Sequence, residues 1–473
     1  YGVSTGFGSN ADKLLGGSDA SIYARLQRNL IETHAVCVGE PFAPDVVRAM
    51  LCIRINTLLR GHSGIRVRTL QALAAMLDAG VVPVVPQLGS VGASGDLAPL
   101  SHLAIVLIGG GEAFFGGERL PGGEALRRAG LQPVELTIKE GLALNNGTAQ
   151  MLATGVLALA KLEHLLDTAD LAAAMTLDAF AGRLGAYAEE VHALRPHPGQ
   201  VHVAARMRAL LAGSTLADIA YDRVRGKKVQ PQDSYSLRCV PQVHGAVRDA
   251  VAQAARVLEI ELNAVTDNPL VFPEAVDAPL DRQVISAGHF HGMPLALAMS
   301  YVKAAIPVLA SISERRLNKL LDPATSDGLP GFLVGNEDGT ESGFMIVQYT
   351  AAAIVNDLAS RAMPASVYSI PTSANAEDHV SMGANEARHV LAMVADLGKV
   401  LALELMTAAQ ALDLRLRMVE GEAHPGRAVA AAHAAIRDRI AFLDRDRALD
   451  GDVAMALRMV ADGDVLAAAR AAL

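Results

Sequence analysis

Tryptophan is absent from the 473 residues, aromatic side chains make up only 4%, and there are 3 cysteines. Without tryptophan, a core has to be packed from aliphatic side chains. Cys37, Cys52 and Cys239 form no CxxC pair and no even-numbered framework. That excludes a disulfide scaffold and predicts reduced thiols in a cytoplasmic protein. Charged residues reach only 19% and the formal net charge is −9, which argues against a general nucleic-acid binder. No basic stretch followed by an apolar one opens the sequence, so no secretory signal is read there. HExxH is missing, and no glycine run leads into Lys-Ser/Thr, so neither a zinc-protease helix nor a phosphate loop is expected. The apolar stretches 151–181 and 292–313 carry Lys161, Glu163, Asp167, Asp170 and Lys303. They read as buried bundle helices rather than membrane spans.

What the chain does have is aliphatic periodicity. Residues 1–148 are broken by glycine and proline, with helix-like pieces at 21–37 and 44–60. Val81-Val-Pro-Val-Val-Pro86 is predicted to be extended, because a residue before proline is pushed out of the α region. Short strands are expected near Phe114–Leu120. From about 148 onward, Ala-, Leu- and Met-rich segments recur at three- and four-residue spacing: 148–181, 200–213, 240–265, 292–321, 343–362 and 384–415. The tail 425–470 reads as a further helical region. The expectation is a mainly α fold in two parts: an N-terminal, mostly helical mixed domain over 1–148 and a long helical bundle over 149–473. Arg315-Arg316 reads as a solvated or inter-subunit pair.

Chemistry concentrates in Gly89-Ser-Val-Gly-Ala-Ser-Gly-Asp-Leu-Ala-Pro-Leu100. Gly95 has no side chain, so its amide nitrogen can come close to the Ala93 carbonyl. Ser94 can lose its hydroxyl as water. Cyclisation with loss of two waters would give a methylidene-imidazolone, an electrophile that needs no external cofactor. Taken alone, Ala-Ser-Gly is a plain glycine-rich turn.

Other segments change that balance. Tyr1-Gly-Val-Ser-Thr-Gly-Phe-Gly8, Gly92–Leu100, Gly141-Leu-Ala-Leu-Asn-Asn-Gly-Thr148, Gln232-Asp-Ser-Tyr-Ser-Leu-Arg-Cys239, Asp267-Asn-Pro269, Phe290-His291 and Ser342-Gly-Phe-Met345 occur in order along the chain. In them the sequence resembles the histidine/phenylalanine/tyrosine ammonia-lyase family over essentially its whole length. The resemblance implies a fumarase/aspartase-like helical fold and a homotetramer with shared active sites. It also implies elimination of ammonia from an L-amino acid through the 4-methylidene-imidazol-5-one of Ala93, Ser94 and Gly95. The chemistry needs such groups, since an amine is a poor leaving group and a β-hydrogen is barely acidic. By resemblance Tyr1 is the general base, Tyr235 assists, Arg238 grips the substrate carboxylate, and Gln232 and Asn146 add polar contacts. Tyr235 and Arg238 are three apart, so a helical turn puts them on one face. Family members carry a segment ahead of this tyrosine, so residues upstream of Tyr1 are expected.

The substrate is read from the pocket. His34 and Glu377 fall where histidine-specific members carry histidine and glutamate, and Met345 and Phe290 complete the pocket. A carboxylate can accept the N–H of a substrate imidazole. L-histidine going to urocanate is therefore the first expectation. Ala376, His289, Glu341 and Thr33 depart from the histidine-type pattern, so other substrates stay open. These are a tyrosine or phenylalanine lyase, a 2,3-aminomutase with the same electrophile, and, from another class, a non-catalytic helical scaffold. No metal, nucleic-acid or membrane partner is expected.

Overall fold

The computed structural model describes residues 5–15, 20–228, 231–335 and 338–473. Helix takes 61% of the chain. The periodic segments fold as read: helices span Ala149–Phe180, Pro198–Leu210, Val240–Leu262, Met293–Leu321, Met345–Arg361 and Gly383–Met418. Their small and aliphatic residues are buried, as at Leu162, Ala169, Leu171 and Leu177 (all 0% exposed). Met293–Leu321 is long and apolar enough to cross a membrane, but 67% of its apolar window lies inside the protein, as in a core helix.

The chain divides into two compact units. The first combines Tyr1–Ala158, Gln253–Tyr301 and Pro364–Leu391; the second combines Leu159–Ala252, Val302–Met363 and Ala392–Leu473.

The first unit opens with helices α1 (Ala20–His34), α2 (Pro44–Leu59), α3 (Val67–Asp78), α4 (Leu97–Leu107), α5 (Gly122–Arg128) and α6 (Glu140–Asn145), followed by the start of α7 (Ala149–Phe180). Pro44 takes the first position of α2, where its missing N–H costs nothing. The proline-rich stretch is extended as expected. It forms strands β2 (Val82–Pro83) and β3 (Pro86–Leu88), which pair antiparallel with β4 (Glu112–Phe115) and β1 (Val38–Pro41) respectively. β4 pairs in turn with β5 (Glu118–Pro121), matching Phe114 to Arg119. A last hairpin, β6 (Leu270–Val271) with β7 (Val284–Ile285), follows the cis peptide Asn268–Pro269.

In the second unit the tail is helical as expected, and the reading of Arg315-Arg316 is corrected. The tail is three helices, Arg427–Arg437, Asp450–Asp462 and Asp464–Ala471, the last two separated by Gly463 at φ +81°. The left-handed glycine ends one helix and starts the next at a new angle. Arg315 is exposed and pairs with Glu314, but Arg316 is fully buried. It makes a bidentate pair with buried Glu404 at 2.5 and 2.8 Å. Glu404 also accepts from Thr176 and Ser313. Arginine's planar fork matches a carboxylate brought in from a distant helix.

Candidate active site

Ala93, Ser94 and Gly95 sit on the turn that leads into α4, in the first unit. Gly92 and Gly95 bridge across the turn. Gly92, Ser94 and Gly95 all have left-handed backbones, at φ +73°, +50° and +72°. For serine that conformation is uphill, so the surroundings must enforce it. A Cβ on Gly95 would lie 2.1 Å from the Gly147 carbonyl oxygen. Asp96 N–H donates to that same oxygen at 2.7 Å. Asn146 Nδ2 donates to the Ser94 carbonyl at 3.0 Å, and the Gly147 N–H reaches it at 3.3 Å. Two donors thus converge on one carbonyl oxygen, the arrangement that stabilises developing negative charge.

Beneath the turn, Asp96 is fully buried. Its carboxylate accepts from the Gln150 and Met151 N–H groups at the first turn of α7, both at 3.0 Å, and from Ser90 Oγ at 2.9 Å. Burial pushes its carboxyl up to about 7, against the pull of those hydrogen bonds. One side chain therefore ties the electrophile turn to a helix start.

Above the turn lies a cavity of about 680 Å³ whose lining comes entirely from the first unit. Of the residues singled out in the sequence, Ser94, His34, Asn146, Phe290 and Glu377 line it. Ser94 Oγ donates to Glu377 Oε1 at 2.9 Å, and Thr372 Oγ1 holds the other carboxylate oxygen at 2.7 Å. Ser373, Ala374 and Asn375 all have positive φ, a left-handed turn that carries Glu377 back to pair with Thr372. His34 ends α1, with Nδ1 3.0 Å from Thr33 Oγ1. Burial lowers its pKa, although the Leu30 backbone and Glu377 pull the other way, which favours the neutral ring. A second cleft of about 300 Å³, lined by Ala93 and Gly95, shares His34, Leu97 and Glu377 with the first.

Asn268, Ser286 and Ala287 also line the cavity, and sequence reasoning gave them no role. Asn268 Oδ1 accepts from the Ala287 N–H at 2.8 Å, closing the end of the β6–β7 hairpin. The Asp267-Asn-Pro269 motif was the available signal. Of the departures, Ala376 lines the cavity and Thr33 the second cleft. Burial raises the Glu261 pKa, with the Thr148 hydrogen bond and the nearby His289 opposing it. Glu341 lies in the second unit, where it accepts from the Asp446 N–H.

Tyr1 lies outside the described residues; Phe7 and Gly8 of its loop line the cavity. Gln232, Tyr235, Arg238 and Met345 belong to the second unit. There Tyr235–Arg238 form one helical turn, and the Arg238 guanidinium stacks on the Tyr235 ring at 4.6 Å, the shared face anticipated from their spacing. Tyr235 is 72% exposed and Gln232 is exposed. Met345 opens its helix half-buried. Tyr187 Oη donates to the Leu237 carbonyl at 2.7 Å, fixing this turn from below.

Comparison with known proteins follows the same residues. A model of the family described as aromatic amino acid lyase matches residues 1–438. A histidine ammonia-lyase of Symbiobacterium thermophilum is 50% identical over 471 residues, covering 100% of this chain and 89% of the relative. One from Anaeromyxobacter dehalogenans is 51% identical over 470 residues, covering 98% and 89%. Among solved structures, a histidine ammonia-lyase from Trypanosoma cruzi superposes with a TM-score of 0.88 at 37% identity, covering 100% of this chain and 85% of that one. A tyrosine aminomutase from Streptomyces globisporus gives 0.90 at 37% identity, covering 100% and 89%. The expected helical, fumarase/aspartase-like fold is the one these structures share. With the motif order, the turn and the whole-length matches in agreement, this chain belongs to the aromatic amino acid lyase family.

Proposed function

We propose that the protein is an ammonia-lyase that converts L-histidine to urocanate, using a methylidene-imidazolone formed from Ala93, Ser94 and Gly95. The observation that carries this reading is the convergence of Ser94, His34 and Glu377 on one cavity, with Glu377 2.9 Å from Ser94 Oγ. The turn suits the ring: Gly95 packs where no Cβ fits, and the Ser94 carbonyl, which would become the ring carbonyl, already receives two donors. The ring would supply an electrophilic carbon for the substrate amine.

The chain's own groups do the rest. Asn146 stabilises negative charge at the Ser94 oxygen. Its Oδ1 has no hydrogen-bond partner among the described residues and can accept from the substrate amine. Glu377, oriented by Thr372, accepts an imidazole N–H, and neutral His34 can donate or accept alongside it. Phe290 and Met345 shape the pocket. Tyr1 takes the β-proton, Arg238 anchors the carboxylate with Gln232, and Tyr235 assists. In line with the resemblance to the family, we assign the complete site to a homotetramer in which copies share residues.

The test is direct. Incubate the protein with L-histidine, L-tyrosine and L-phenylalanine and follow the ultraviolet absorbance of the conjugated acids. Histidine turnover that is lost in Ser94→Ala is expected. Turnover of tyrosine or phenylalanine but not histidine would replace this reading with an aromatic lyase. Release of a β-amino acid would indicate a 2,3-aminomutase, the activity named for one structure of equal likeness.

A further inference from the structure

Arg54 is an arginine on α2 with only 1% of its surface exposed. Its Nη1 donates to the Asn146 carbonyl at 2.7 Å. Nε and Nη2 meet no hydrogen-bond partner among the described residues. Its nearby carboxylate is Asp267, which Lys139 also engages at 3.0 Å. Two buried cations thus share one buried carboxylate. Such a group is a poor stabiliser of a fold, since desolvating a charge costs more than one hydrogen bond returns.

Its position explains what it does instead. The carbonyl that Arg54 grips belongs to the Asn146–Gly147 peptide unit. The other end of that unit is the Gly147 N–H, which points at the Ser94 carbonyl. A charge-assisted hydrogen bond at one end of an amide polarises the donor at the other, and more so in a low dielectric. The stack is also sterically fixed. A Cβ on Gly147 would lie 2.4 Å from Arg54 Nη1 and 2.5 Å from the Thr266 oxygen, just as one on Gly95 would strike Gly147.

We propose that Arg54 is a positioning residue for ring formation: through the Asn146–Gly147 peptide it holds both donors on the Ser94 carbonyl in place and polarises the Gly147 N–H. This rests on the proposed use of the ring. In ring formation, the Gly95 nitrogen bonds to the Ala93 carbonyl carbon. That carbonyl oxygen leaves as water with the Gly95 and Ser94 amide protons, creating a C=N bond. The Ser94 hydroxyl then leaves as a second water with the Cα proton, creating the exocyclic C=C. A polarised Ser94 carbonyl acidifies that adjacent Cα–H, so Arg54 acts on the second loss.

The test reads mass, not turnover. Synthesise the full chain in a cell-free system and follow the peptide containing residues 93–95 by mass spectrometry until it is two waters lighter, with folding monitored by circular dichroism. Arg54→Met should convert roughly tenfold to hundredfold more slowly per folded molecule, the range for loss of one charge-assisted hydrogen bond. Arg54→Lys should fall between it and the wild type. Leu73→Ala, a buried change on α3, should lower the melting temperature while converting at the wild-type rate. Conversion of both Arg54 variants at the wild-type rate would overturn the proposal, as would equal slowing in Leu73→Ala. If Arg54→Met does not fold, Arg54→Lys decides alone: slower conversion supports the role and an unchanged rate overturns it. A wild-type peptide that never loses two waters would overturn the ring reading itself, and this proposal with it.

Discussion

Ser94 holds a left-handed backbone that a serine adopts at a cost of about 1–2 kcal/mol. It persists because Gly92, Gly95, Asn146 and Gly147 close around it, and such enforced strain is concentrated where chemistry happens. Sequence reasoning reached Ser94, His34, Asn146, Phe290 and Glu377, because each lies in a recognisable local pattern. It gave Arg54 no role, because a lone arginine in a helix is indistinguishable from a surface charge until its burial is seen. Two predictions belong at this scale. Glu377→Gln keeps the shape but loses the charge, and should lower kcat/KM for histidine by about a hundredfold, measured by steady-state kinetics. Cys37 is buried, and burial pushes its thiol up to about 12. Iodoacetamide at pH 8 should leave it unmodified in the folded protein and label it after denaturation, as peptide mapping would show.

Elements came through the sequence unevenly. The long helices were legible because twenty or more residues repeat one apolar period. The strand β1 and the helix α6 were not, since each is short and held by pairing or packing with distant residues. The N-terminus of α7 shows the same limit: its cap is Asp96, more than fifty residues earlier, whose own helix α4 receives no side-chain cap from it. Replacing Asp96 by Ala should uncap α7 and lower stability by about 1–2 kcal/mol or more in urea unfolding. In the second unit, Arg316→Met would leave Glu404 buried without its counter-charge. Such a loss typically costs about 3–5 kcal/mol, readable as a fall in the denaturation midpoint.

For the whole molecule, acid–base linkage and assembly are the properties to measure. Burial raises Asp178, which holds Ser214 and the Gly426 N–H, from 3.8 to about 6. A carboxyl raised on folding stabilises fully in acid, and that contribution is lost as pH climbs through the folded value. Between about pH 4 and pH 7 the wild type should therefore lose roughly 3 kcal/mol or less relative to Asp178→Asn, measured by urea titrations at each pH. In sedimentation equilibrium a homotetramer is expected, and a stable monomer would contradict the shared site. The sequence by itself determined the helical class and the long helices, and it singled out five residues that share the cavity, because apolar period and ordered motifs are local information. Only the tertiary structure decided which charges are buried, which carbonyl the two donors meet, and that the cavity draws on a single unit. Those follow from distant segments excluding water together, and no local pattern encodes that.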